Sequence, residues 1–490
     1  MNSPDHSRPQ PAAGSDRSEQ REIDASAKWP VLVFFGSALL WLLIGSALQL
    51  VSSIQLHTPA FLADCSWFTH GRVAPAAQNA LVYGWGMNAG FAFALWLMAR
   101  LSAAALRSGG WLMIAAKFWN LGVALGVLGI LFGYSNSYEL LEMPRFVTLL
   151  LLGSYLMIGV WAVTTFSVRN TEHVYASQWY ILGAAFWFPW LFLVARLMLS
   201  TSPVGGVVQA IVNVWYVNGL LNLWFAALAL AAAYYFIPKI LGKPIYNYYV
   251  AVIGFWWFAI WSAFSAGSRL IGGPVPAWVA TLGGVASMLV IAAVVIIGVN
   301  LLGTLSGNFG KAQKSTTLRF VLLSLVGFFL ASLLNFALSI RSFAEVAQFT
   351  LIPELRDWLL LYACFSTAMF GAAYFFLPRV TGKVWRAPVL ISAHYATTAL
   401  GILALVVGLF IAGWQQGRML NDASVPFASI TDTLTPWLTF RSVALILLAI
   451  GHVAFLINFV WIACPVNSQS TEAATIENPP EMEVHPAHQA

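Results

Sequence analysis

Apolar residues run along this chain in twelve long blocks, each broken by a short stretch carrying charge, proline or glycine. A helix needs about twenty apolar residues to cross a bilayer. Blocks near residues 30–52, 78–100, 110–134, 144–167, 176–199, 210–237, 248–268, 276–303, 319–341, 357–377, 388–413 and 437–463 meet that requirement. The pattern predicts twelve transmembrane helices. No stretch between them is long enough to fold as a separate domain, so one all-α membrane bundle is expected over residues 30–463. The flanking segments, 1–29 and 464–490, are polar and predict two disordered tails.

Charge then fixes an orientation. Loops after even-numbered blocks hold Arg100, Arg107, Arg169, Lys239, Lys243, Lys311, Lys314, Arg319, Arg379, Lys383 and Arg386, with Glu172 the one acid. Loops after odd-numbered blocks hold most of the acids, among them Asp64, Glu139, Glu142, Glu345, Glu354 and Asp422. Basic loops stay on the cytoplasmic side, which predicts an inner-membrane protein with both termini in the cytoplasm. Composition agrees: 60% of residues are hydrophobic and 9% charged, against about 25% charged in soluble domains. The surface must face membrane lipid. The net charge of +6 is carried in short membrane loops, so no nucleic-acid partner is expected. Residues 1–29 carry mixed charge and no apolar core, unlike a secretory signal.

Candidate chemistry is sparse. The cysteines Cys65, Cys364 and Cys464 form no CxxC pair, and no CxxCH haem-attachment motif occurs. The histidines are His6, His57, His70, His173, His394, His452, His485 and His488. Residues 233–244 read AYYFIPKILGKP and residues 373–388 read AYFFLPRVTGKVWRAP. Each copy is an aromatic helix end, a proline with a cation, and a Gly-Lys turn, which predicts equivalent places in a repeated bundle.

These segments resemble the ends of helices six and ten in catalytic subunits of haem-copper oxidases, specifically subunit I of the cbb3-type cytochrome c oxidases. HGRVAPAAQNALVYGWGMN at 70–88, LIGGPVPAWVATLGGVAS at 270–287, RDWLLLYACFSTAMFGAAYFFLPR at 356–379 and HYATTALGILALVVGLFIAGWQQG at 394–417 are similar to other parts of that frame. The resemblance covers roughly residues 30–463. It implies a haem-copper-oxidase-like bundle, an oxygen-reducing, proton-pumping activity, and respiratory-complex partners including a c-type cytochrome.

The resemblance also places the family's metal ligands. Its low-spin haem is held by histidines of helices two and ten, its high-spin haem by a second histidine of helix ten. Its copper is held by one histidine of helix six and an adjacent pair after helix seven. Those positions read Ala77, Gly219, Ser268, Arg269, Tyr362 and Cys364 here. Five of them fall between His173 and His394, where the chain has no histidine. Imidazole binds both metals as a neutral donor, alanine and glycine offer none, and Arg269 would set a cation where copper would sit. The family's helix-seven tyrosine is also missing, its position reading near Ala263. No catalytic residue, no metal site and no cofactor are therefore expected; the resemblance leaves haem b open and opposes copper.

Tyr362, Cys364 and His394 are the candidate cofactor-binding side chains, since phenolate, thiolate and imidazole all ligate haem iron. The alternative is that all three are ordinary buried groups, and Ala77 opposite favours it. Lys117 and His452, both inside apolar blocks, are candidates for an intramembrane proton path. Asn213, Asn218, Asn222 and Asn300 are expected to bond between helices, and Phe255, Trp256 and Trp257 to fill volume left by a haem. Three functions stand open: a catalytically degenerate structural or regulatory subunit of a respiratory electron-transfer complex, a terminal oxidase or nitric-oxide-reductase-like subunit with unconventional ligands, and a non-redox proton or small-molecule conduit.

Overall fold

A computed structural model describes residues 13–464 apart from residue 108. Among the described residues, twelve helices are long and apolar enough to cross a membrane. They are α1 (Ala13–His57), α2 (His70–Leu101), α3 (Gly109–Leu131), α4 (Val147–Ser167), α5 (Ala176–Thr201), α6 (Val208–Leu241), α7 (Tyr248–Leu270), α8 (Ala277–Leu305), α9 (Thr316–Ser339), α10 (Leu351–Thr381), α11 (Pro388–Leu420) and α12 (Phe427–Ala463). Among the described residues there is no strand. The all-α polytopic bundle follows the hydrophobic blocks. Its helices overrun them at several ends, because polar terminal turns reach past the hydrocarbon.

Three helices form the centre. The apolar windows of α2 and α6 are 94% buried and that of α10 89%, whereas no other helix exceeds 50%. Each central helix contains a π-helical segment, at Ala80–Gly86, Leu220–Ala226 and Leu359–Ser366. The segments recur about every 140 residues, which makes the bundle a threefold repeat of four helices. The echo between α6 and α10 is two thirds of that repeat. Both helices stop on a left-handed glycine, Gly242 with φ 65° and Gly382 with φ 69°. Both glycine N–H groups donate back to the proline carbonyl four residues earlier, Pro238 and Pro378. The α2 copy lacks Pro and Gly-Lys, ending instead at Arg100 and Leu101.

The amino-terminal segment departs from expectation. Helix α1 begins at Ala13, so part of the segment predicted as a disordered tail is helical. Its charges hide a stripe at helical spacing, with Ile23, Ala27 and Val31 buried. Asp24 is buried beside them and accepts from Trp96 Nε1 at 3.0 Å and from Arg100 at 3.4 Å. The predicted carboxy-terminal tail lies outside the described residues beyond Cys464, as do His6, His485 and His488.

Candidate functional site

The six positions that the resemblance assigns to metal ligands are each packed against other residues of the chain. Ala77 is fully buried in α2. A Cβ on Gly219 would lie 2.8 Å from both methyl carbons of Leu191 on α5, so the space beside α6 at this position is filled by the leucine side chain. Ser268 sits in the tight turn ending α7, donating to Ser265 O at 2.8 Å and meeting Ser287 Oγ of α8 at 3.0 Å. A Cβ on Gly283 would fall 2.2 Å from the Ser268 nitrogen, so the α8 backbone presses directly on this turn. Arg269 turns to α10, where it forms a two-pronged pair with Asp357 at 2.6 and 2.8 Å. Arg356 shares the same carboxylate at 3.0 Å.

Tyr362 and Cys364 stand within the π-helical segment of α10. The Tyr362 hydroxyl meets His452 Nε2 at 2.5 Å, and its ring stacks on Trp358 at 5.1 Å. Cys364 is fully buried. A Cβ on Gly327 would come within 2.6–2.8 Å of the Ala363–Cys364 backbone, so α9 closes against this segment without room for a side chain.

Aromatic rings fill the space between α1, α2, α10, α11 and α12. Trp85 donates to Ser366 Oγ at 2.8 Å and stacks on Phe370 at 5.1 Å. Phe370 meets His394 at 4.6 Å and Phe455 at 5.3 Å. Phe35 packs edge-on against Trp85, Phe376 and Phe455. His394 is sandwiched here: its ring stacks on Phe455 at 4.8 Å and its Nδ1 meets the Tyr374 hydroxyl at 2.9 Å. Its Nε2 has no hydrogen-bond partner. The edge beside that nitrogen faces Gly451, whose added Cβ would lie 3.3 Å from His394 Cδ2. The three candidate ligands are thus close in the bundle, but each is enclosed by side chains or backbone of its neighbours.

Two expectations need correction. Trp256 and Trp257 are 50% and 36% exposed on the outer surface of α7, so of the three residues named only Phe255 packs inward, against Tyr180 at 5.0 Å. The rings packed between the helices are instead Trp85, Phe35, Phe370 and Phe455. Their periodicity is that of any buried helix face, so the pattern alone could not single them out. Lys117 is exposed on the outer face of α3 among Ile114, Phe118 and Leu121, a setting in which a lysine lays its stem along apolar surface and keeps its ammonium in polar surroundings. It does not join His452, which is buried and bonds Ser46 Oγ through Nδ1 at 2.9 Å.

Three of the four asparagines reach neighbouring segments, and Asn222 does not. Asn218 donates to Ser262 O of α7 at 2.8 Å, Asn300 to Asn247 O at 2.8 Å, and Asn213 exchanges bonds with the Glu139 backbone. Asn222 bonds within its own helix, to Asn218.

A second buried polar group was not singled out from the sequence. Arg196 on α5 is 1% exposed and donates to Met143 O at 2.9 Å. Near it the hydroxyls of Tyr83 (α2) and Tyr216 (α6) meet each other, three residues from Gly219. Glu142, in the loop before α4, accepts from Asn79 at 2.7 Å, and burial pushes its carboxyl up to about 7. The available signal was an arginine inside an apolar block, which is costly in a membrane unless it has a role. Among the described residues no group of three or more His, Cys, Asp or Glu side chains could hold a metal.

With this frame in view, the comparisons with known proteins agree. Residues 30–447 match the family of Cytochrome C and Quinol oxidase polypeptide I. The chain belongs to that family, as a multi-pass membrane protein built like subunit I of cytochrome c oxidase. It is 24% identical over 412 residues to the Cbb3-type cytochrome c oxidase subunit CcoN1 of Stutzerimonas stutzeri, covering 81% of this chain and 86% of that protein. It is 25% identical over 458 residues to a cytochrome c oxidase subunit 1 homolog of Agrobacterium tumefaciens, covering 88% and 82%. A heme-copper terminal oxidase dimer solved by cryo-EM shares the fold, with a TM-score of 0.71 at 13% identity over 93% of this chain and 86% of that one.

Proposed function

We propose that this chain is a catalytically degenerate member of its family, a structural or regulatory subunit that keeps the polypeptide I bundle without the haem and copper chemistry. One observation carries the reading: every expected ligand position is occupied by packing or by an ion pair. Leu191 stands against Gly219, Asp357 neutralises Arg269, and His452 takes the Tyr362 hydroxyl. The residues present therefore do not fit the family's metals. A copper ion would meet a guanidinium and a serine where it needs two imidazoles, and a haem would have to displace stacked rings to reach His394. With Lys117 on the outer surface, the conduit reading keeps only His452.

In this reading the chain sits in a bacterial inner membrane with both termini cytoplasmic, as its basic loops favour. Its partners are other subunits of a respiratory electron-transfer complex. Because the chain has no CxxCH motif, any c-type cytochrome in that complex is a separate polypeptide. Isolation of the tagged protein from native membranes in mild detergent tests this. Stoichiometric recovery of haem-bearing subunits is expected. Recovery of the chain alone, from membranes in which the respiratory complexes stay intact, would overturn the proposal.

A further inference from the structure

Three charges lie three or more residues inside the apolar blocks, Arg196, Arg441 and Lys117. Arg196 is buried and donates to Met143 O, and Arg441 pairs with Glu354 at 2.6 Å. Lys117 is exposed on the outer face of α3, and among the described residues no group of the chain bonds or pairs with its ammonium. It stands seven residues inside its block, which is about 10 Å of helix. A four-carbon stem covers only part of that depth. A cation facing hydrocarbon is costly, and cations inside membranes are almost always paired or turned to a polar interior.

Around Lys117 the outer face of α3 is regular. Trp111, Ile114, Phe118, Leu121, Leu125 and Leu128 are all exposed and follow one another at alternating spacings of three and four, the spacing by which one helix seats another. Helix α4 packs beside α3, where a Cβ on Gly122 would lie 2.9 Å from Leu151 Cδ2. The outer face of α4 carries Leu149, Gly153, Leu156 and Val160 at helical spacing. A Cβ on Gly153 would meet nothing within 4 Å, so no contact inside the chain calls for a glycine there. Glycine weakens a helix interior, and in membranes it lets a second helix come close. Snorkelling to the headgroups is the plainer role for Lys117, but it accounts for neither its depth nor Gly153.

We propose that the outer face of α3 and α4 docks a transmembrane helix of another subunit, and that this helix carries an aspartate or glutamate opposite Lys117. A second copy of this chain does not fit, because the one carboxylate in its apolar blocks, Asp357, is bound to Arg269 and Arg356. The inference rests on the proposed place in a membrane complex. A benzophenone amino acid in place of Leu121 tests it in native membranes, with one in place of Val295, exposed on α8, as the control. Irradiation is expected to join Leu121, and not Val295, to one polypeptide that mass spectrometry identifies and whose membrane span holds a carboxylate. Lys117→Glu should lower the yield about ten-fold, and a lysine in place of that carboxylate should restore it. Gly153→Leu should lower the yield by a similar factor without lowering the melting temperature of the purified chain, and it serves if Lys117→Glu does not accumulate. Adducts with lipid alone, with a second copy of this chain, or with a protein whose spans hold no carboxylate would overturn the proposal. So would an equal yield from Val295, or yields that neither variant lowers. If respiratory subunits co-purify while Leu121 forms no such adduct, this docking face alone is wrong; if the chain is also recovered alone, the subunit role fails with it.

Discussion

Gly219→Ala probes the position where the resemblance would place a copper ligand on α6. The added Cβ would sit 2.8 Å from Leu191 Cδ1 and Cδ2 and 3.4 Å from Cγ. Carbon atoms attract best near 3.5–4.0 Å, so the leucine must retreat by about 0.7–1.2 Å. Leu191 is itself 1% exposed, and its retreat pushes on filled space. Overpacking of this kind costs about 1–3 kcal/mol, reduced by up to about 1 kcal/mol because alanine favours helix over glycine. Leu191→Ala alone leaves a cavity and should cost about 2–5 kcal/mol. In the double variant the new methyl enters the vacated space, so the combined cost should fall short of the sum by about 1–3 kcal/mol. Reversible unfolding in mixed micelles, followed by tryptophan fluorescence, gives the four free energies of the cycle. Additivity within about 0.5 kcal/mol would show that Gly219 faces open space and refute the claim that Leu191 has filled this position.

Three further outcomes follow from the geometry. Asp357→Asn removes the carboxylate shared by Arg269 and Arg356 and should cost about 3–5 kcal/mol, measured in the same unfolding assay; a loss below 1 kcal/mol would show that solvent already screens the cluster. Tyr362→Phe leaves His452 Nε2 without its partner and should cost about 1–3 kcal/mol, while His394→Leu, which removes an unpaired Nε2 but also the bond to Tyr374, should cost less. Burial raises Glu142 from 4.5 to about 7, so between those values the folded protein holds a proton that the unfolded chain has released. That stability is fully present below pH 4.5 and is lost as pH rises through about 7. The melting temperature of the native protein should therefore fall relative to Glu142→Gln from pH 5 to pH 8, and parallel profiles would contradict it.

Much of this architecture is written in the hydrophobic pattern. Helices declare themselves by length of apolar run, and the repeat declares itself where proline, cation and glycine punctuate α6 and α10. The third copy in α2 is silent because its helix ends without that punctuation, and only the π-helical segments align it. The α1 extension is hidden because Asp24 and its charged neighbours outweigh Ile23 and Ala27 in any local average. The absence of histidine from the expected ligand positions is legible by identity alone, since a histidine is either present or not. The ring cluster is not legible in that way: Trp85, Phe370 and Phe455 come from three separate helices, and which aromatic of each helix faces inward depends on packing. Lys117 shows the opposite error, because an ionisable residue within an apolar run reads the same whether it faces protein or lipid.

The proposed degenerate role requires that the expected ligand positions hold no haem or copper. A pyridine haemochrome spectrum with metal analysis of the purified protein tests that most directly. We predict less than stoichiometric traces of haem and no copper, whereas one haem per chain, retained through purification and lost in Tyr362→Phe, Cys364→Ser or His394→Leu, would contradict it.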